Sequence, residues 1–94
     1  MIRVILPSQL EDYTDRLREV ELDLPIADGG EATLADVIAA LESRFRGLAF
    51  RIIDEQGNIR RHIAIFIGES MVRTLRVPVH KNARVQIVGA LSGG

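Results

Sequence analysis

The sequence contains no cysteine, which excludes a disulfide framework, a thiolate nucleophile and a thiolate-bound metal together. Any sulfur handled by this chain must come from outside it. Lysine is almost as scarce: eleven of the twelve basic residues are arginine and Lys81 is the only ammonium, so the surface offers little for attachment through lysine. There is no tryptophan, one tyrosine and three phenylalanines, too few to supply stacking platforms for single-stranded nucleic acid. No apolar run approaches the roughly 20 residues that cross a bilayer. Met1 leads directly into Ile2-Arg3-Val4-Ile5-Leu6 rather than into a signal-peptide pattern, and the expected location is the cytoplasm.

What is present suits one small globular domain. Ninety-four residues with 47% apolar content can fill a single core but not two. Net charge is −1, yet its distribution is uneven. Residues 1–43 carry three arginines against ten acids, and residues 44–94 carry nine basic residues against three acids. Such blocks can steer the approach of a partner unless folding interleaves them.

Ile2, Val4 and Leu6 alternate with Arg3 and Ile5 before Pro7, the pattern of a strand with one buried face. Val20, Leu22 and Leu24 alternate with Glu19, Glu21 and Asp23, giving a second strand with an acidic outer face. Residues 8–18 connect the two, with room for a short helical turn. After a turn at Asp28-Gly29-Gly30, Thr33 and Asp36 have the spacing of a capping box and start a helix. Leu34, Val37, Ile38, Leu41 and Phe45 form its apolar face, and Gly47 is its expected left-handed stop. Phe50, Ile52 and Ile53 precede a turn at residues 54–58. His62 to Ile67 then forms the nearly continuous apolar run of a central strand. Met71-Val72 begins a short strand, and Arg84 to Val88 alternates as the last. This order predicts an α+β fold: a mixed β-grasp sheet with one main helix packed across one face. A single domain spans residues 1–94, with residues 89–94 as a flexible tail.

Gly93-Gly94 is the most informative pair in the chain. With glycine at about 7% of residues, two at the last positions arise by chance in roughly one chain in 200. A terminal arm without Cβ atoms can enter a narrow channel and approach a bound nucleotide closely, although ordering it costs on the order of 1–2 kcal/mol per residue. Side-chain chemistry is poorly represented by comparison. His62 and His80 are too few for a zinc site without cysteine, so no metal is expected. Glu11-Asp12 and Asp54-Glu55 lie in connections, and sequence neighbours do not converge on one substrate as an acid/base pair must. Gly29-Gly30 lacks the lysine and spacing of a phosphate loop.

The opening strand Ile2 to Leu6, the helix start Thr33-Leu34-Ala35-Asp36-Val37 and the closing strand running into Ala90-Leu91-Ser92-Gly93-Gly94 together resemble the MoaD/ThiS family of ubiquitin-like sulfur carriers. That family includes molybdopterin synthase small subunits and thiamine sulfur carriers. Residues 60–67, with Val72-Arg73 beyond a turn, further resemble the carrier that feeds a cysteine synthase. Ala64, Lys81-Asn82-Ala83-Arg84 and Gly89 stand where the family more often has an asparagine, an acidic turn and a proline.

The resemblance implies a carrier and not an enzyme. An adenylyltransferase resembling ubiquitin-activating enzymes converts the Gly94 carboxylate to an acyl-adenylate, using its own ATP and magnesium. A sulfur donor then displaces AMP to leave a thiocarboxylate. Gly93 gives access, while Leu91, Arg73, Arg84 and the exposed sheet face would contact partners. The acceptor would be a synthase such as the molybdopterin synthase large subunit or a cysteine synthase. Two other readings compete: a ubiquitin-like modifier conjugated through Gly94, and a nucleic-acid-binding module using the arginine-rich half. Near-neutral net charge and the shortage of aromatic residues weigh against the latter.

Overall fold

Alternation in the first two strands is resolved into an antiparallel pair. The structure, a computed structural model, describes residues 1–26 and 30–89. Residues 27–29 and 90–94 lie outside the description, including most of the Asp28-Gly29-Gly30 turn. Strand β1 (Ile2–Ile5) pairs with β2 (Glu19–Leu22), with Ile2 opposite Leu22 and Val4 opposite Val20. All four point into the core. The connection starts with a 3₁₀ turn at Ser8–Leu10, which buries Leu10, and the hydroxyl of buried Thr14 donates to the Leu17 carbonyl at 2.9 Å.

A two-residue strand β3 (Ala32–Thr33) leads into α1 (Leu34–Arg44). The expected capping box is present. Thr33 Oγ1 accepts from the Asp36 N–H, and Asp36 Oδ2 accepts from the Thr33 N–H at 2.9 Å, satisfying donors the helix cannot use internally. Leu34, Val37, Ile38 and Leu41 are buried on the inner face of α1, each worth about 1.5–3 kcal/mol relative to exposure.

Helix α1 ends at Phe45, whose backbone is extended, two residues before the expected stop. Gly47 is left-handed, at φ +90°, but it is the N-cap of a second helix, α2 (Leu48–Ile52). Glycine has no side chain to cap with, and Glu42 serves instead: its carboxylate accepts from the Gly47 and Ala49 N–H groups, both at 2.9 Å. Those two backbone bonds hold the Glu42 pKa below its ordinary value. One α1 side chain thereby fixes the start of α2, and α2 buries Leu48 and Ile52.

Strand β4 (Ile63–Ile67) turns through Gly68, at φ +60°, into β5 (Ser70–Val72). A two-residue β6 (Pro78–Val79) pairs with β3, and β7 (Arg84–Gly89) closes the fold. Among the described residues five strands form one mixed sheet in the order β2-β1-β7-β4-β5, with β1 and β7 parallel. Val85, Ile87, Ile63 and Ile65 join the α1 residues in a single core. The α+β, ubiquitin-like β-grasp expectation holds. Strand β4 is interior to the sheet, but β7 occupies the middle.

Candidate functional site: the tail root and the open sheet face

The last strand is held on both sides, by β1 and by β4, and Gly89 at its end faces Ile63 at the start of β4. The sequence-based tail boundary shifts accordingly. Gly89 belongs to the sheet, and the rest of the expected tail, residues 90–94, lies outside the described residues. Gly94, Gly93 and Leu91, the expected reactive, access and anchoring residues, lie outside the described residues. The point from which they depart is defined.

At that point Gln9, from the 3₁₀ turn, donates from Nε2 to the Gly89 carbonyl at 3.0 Å. Its amide occupies the space a side chain at 89 would need: a Cβ there would come within 3.1 Å of Gln9 Cδ and Oε1. Nothing in the local pattern of Ser8-Gln9-Leu10 indicates this contact, which spans 80 residues of sequence.

The helices cover one face of the sheet, and the register shows what lies on the other. Ile5 faces Gln86, Gln86 faces Phe66, and Phe66 faces Met71, a row crossing four strands. Val88 faces Ala64 in the next row, nearer the tail root. Met71 is 49% exposed and Val88 36%, and Ile5, Ala64 and Phe66 are half-buried. These five residues form an apolar patch, interrupted by Gln86, where a solvated sheet face would carry polar residues. This explains the continuous run at 63–67: Ile63 and Ile65 supply the core, and Ala64 and Phe66 supply the outer patch.

The two arginines expected to contact partners lie at opposite ends of this patch. Arg73 follows β5 and lines a cleft with Arg61, Ala64 and Met71, level with the tail root. Arg84 opens β7, five residues from Gly89 and thus about 17 Å away at a strand's rise. It lies beside Arg3 on the neighbouring strand, with its Nη1 3.5 Å from Gln86 Oε1.

Strand order sorts the charge blocks. Acidic β2 is one edge of the sheet, and Arg61 and Arg73 flank the opposite edge. Among the described residues only Arg3–Glu19 and Arg18–Glu11 bring arginine within ion-pair distance of a carboxylate, at 3.5 and 3.7 Å. Neither pair joins the two blocks, although Arg44 reaches the Glu21 carbonyl at 3.5 Å and His80 lies 3.7 Å from Glu31.

The remaining candidates have structural or surface roles. His62 is exposed, and His80 Nδ1 sits 3.7 Å from Glu31 at the surface. Among the described residues no cluster of three His, Asp or Glu side chains is arranged to hold a metal. Asp54 Oδ1 accepts from the Gln56 and Asn58 N–H groups and so builds the turn before β4. No helix among the described residues is long and apolar enough to cross a membrane.

No protein-family model and no curated protein sequence matches the chain. Solved structures do. The chain is similar to a chain of the Amycolatopsis orientalis BexX/CysO complex, at 25% identity over 100% of both chains, with TM-score 0.84. It is also similar to Mycobacterium tuberculosis CysO, described as an antigen, at 23% identity over 97% of this chain and 100% of that one, with TM-score 0.82. SAMP1 from Haloferax volcanii matches at 21% identity over 99% of this chain and 98% of that one, with TM-score 0.77. These neighbours share one ubiquitin-like β-grasp fold, and the likeness extends along essentially the whole chain.

Proposed function

From the premise that this chain has the ubiquitin-like β-grasp fold of the MoaD/ThiS-type carriers and modifiers, we propose that it is a sulfur carrier whose working group is the Gly94 carboxylate. The observation that carries the reading is the end-to-end likeness to CysO chains combined with the Gly93-Gly94 sequence beyond the central strand. The strand feeding this arm is held in the middle of the sheet, beside the apolar patch that exposes Met71 and Val88. A partner seated on Phe66, Met71 and Val88 would receive the arm from a fixed origin. Leu91 would extend the apolar contact, Arg73 would orient it near the tail root, and Arg84 would act at the far end.

The chemistry is acyl activation. A carboxylate is a poor acyl donor. Attack by a Gly94 carboxylate oxygen on the α-phosphorus of ATP releases pyrophosphate and gives an acyl-adenylate. A sulfur nucleophile then adds at the carbonyl carbon and expels AMP. The resulting thiocarboxylate passes its sulfur to the acceptor of a synthase. The adenylyltransferase supplies ATP, magnesium and catalytic groups, while this chain supplies the electrophilic carbon and the docking surface. The complex of the Amycolatopsis protein with BexX supports docking of a folded partner to this scaffold.

A modifier role is the second reading. The Haloferax neighbours are described as a small archaeal modifier protein, and an activated Gly94 would equally acylate an amine. The products separate the two. The purified chain is incubated with the adenylyltransferase of the same genome, ATP, magnesium and a sulfide source, then measured by intact mass. The carrier gains the mass difference between sulfur and oxygen on its C-terminal peptide, and deletion of Gly94 abolishes the product. Isopeptide-linked conjugates without a thiocarboxylate would favour the modifier. A product unaffected by Gly94 deletion would overturn both.

A further inference from the structure

Beside the tail root, on the helix side of the sheet edge, is a second surface that the carrier chemistry does not use. A cleft of about 380 Å³ lies between the 3₁₀ turn, α2 and the start of β4, and is lined by Gln9, Tyr13, Phe50, Arg51, Arg60 and His62. Its two arginines lie over aromatic rings. The Arg51 guanidinium lies 4.9 Å from the Tyr13 ring centroid and that of Arg60 4.6 Å from the Phe50 centroid. Arg60 Nε also donates to the Phe50 carbonyl at 2.7 Å. The ring contact and this bond restrain Arg60 through Nε and leave its terminal Nη groups available, the arrangement that suits carboxylate recognition.

Among the described residues no carboxylate oxygen lies within 4.0 Å of a basic nitrogen of Arg51, Arg60, Arg61 or Arg73. Arg60 and Ile63 also line the neighbouring cleft that holds Arg61 and Arg73. Arg60 thus joins two adjoining clefts into one arginine-lined strip, at whose far end Arg73 is shared with the docking face described above. Phe50 adds an apolar contact: it is 54% exposed, although its helix neighbours Leu48 and Ile52 are buried.

The geometry points to this strip as a docking site for an acidic, extended segment of a partner protein, with Phe50 as its apolar anchor. Spaced cations over two adjoining clefts match carboxylates repeated along a chain. They match a single phosphate less well, because its oxygens call for donors converging on one point. The inference deepens the carrier reading by assigning a second contact to the protein that handles the tail. Gln9 links the two surfaces, since it lines the cleft and bonds Gly89.

The test needs no enzyme. The full-length ¹⁵N-labelled chain is titrated with a hexaglutamate peptide at low salt and, separately, with inorganic phosphate. The arginine Nε–H signals and backbone amides are followed. The peptide should shift Arg51, Arg60 and the Phe50 amide and leave Arg84 in place. Replacing both cleft arginines, Arg51→Gln with Arg60→Gln, should weaken binding about fivefold, the size expected for two exposed charge contacts, while Arg84→Gln should not. Unmoved cleft signals, equal weakening by Arg84→Gln, or a phosphate response matching the peptide's would each overturn the proposal. A positive peptide result with no thiocarboxylate in the enzyme assay would refute the carrier chemistry and leave this surface standing.

Discussion

Replacing Gly89 by alanine perturbs the tail root with small and opposed effects on stability. The new Cβ would press on Gln9 at 3.1 Å, tighter than most such contacts, so Gln9 must give way. The obstacle is the end of a flexible, exposed side chain, so Gln9 swings aside and its 3.0 Å bond to the Gly89 carbonyl is lost. A hydrogen bond of this kind contributes about 0.5–1.5 kcal/mol, with the lower end expected where water replaces the donor. Against this, removing glycine's freedom in the unfolded chain stabilises by about 0.4–1 kcal/mol where alanine can adopt the native backbone. The two nearly cancel, and Gly89→Ala should change stability by less than about 0.5 kcal/mol, or roughly 4 °C in Tm at most. The coupling is the sharper quantity. Gln9→Ala alone should cost about 0.5 kcal/mol, but almost nothing in the alanine-89 background, because the bond is already gone. Urea unfolding of the four proteins gives the cycle. Additive effects would refute the contact, and a loss above about 1 kcal/mol for Gly89→Ala alone would show that Gln9 cannot yield.

Gly47→Ala should destabilise by about 1–2 kcal/mol through its positive φ, since the nearest Tyr13 atoms, at 3.7 Å, leave room for a Cβ; a neutral result in thermal unfolding would remove the left-handed argument. Thr33→Ala should cost about 1 kcal/mol by opening the capping box, measurable as a shift in urea midpoint without a change in slope. Because Glu42 has a lowered pKa in the folded state, its contribution is present above the unfolded-state value and disappears as pH falls through the folded one. Glu42→Gln should therefore lower Tm at neutral pH, with the gap to wild type closing in acid below the usual glutamate range. A gap independent of pH would show that the carboxylate charge is not what caps α2.

Local chemistry made much of this fold legible. Thr33 and Asp36 announce the start of α1, and alternation, strict in residues 19–24 and broken only by Ile5 and Val88 in 2–6 and 84–88, marks three strands of the sheet. The features that escaped are too short or too distant to have a period. Helix α2 is five residues long, barely more than a turn, so Phe50, Ile52 and Ile53 show only as an apolar group before the turn at Asp54. Strands β3 and β6 have two residues each and exist by pairing across the fold. At the candidate site, an uninterrupted apolar run cannot distinguish a strand buried on both faces from one that carries a binding patch outward. Phe66 and Met71 are on that ambiguous side, and only the register shows them facing each other. Arg73 and Arg84 read alike in sequence, and strand geometry separates them.

The parallel pairing of β1 with β7 has a mechanical consequence. Both strands run in the same direction, with Arg3 beside Arg84 and Ile5 beside Gln86, so tension between the start of the chain and its C-terminal arm shears their ladder lengthwise. Sheared hydrogen bonds share the load and must fail together, whereas a hairpin pulled from its open end unzips one bond at a time. Strand β4 grips the other edge of β7 through five residue pairs. A partner that draws the arm into a narrow channel would thus pull against the stiffest part of the molecule. Forced unfolding is governed by the barrier to leaving the native state rather than by equilibrium stability, so this ladder would set the tension the domain withstands while folded.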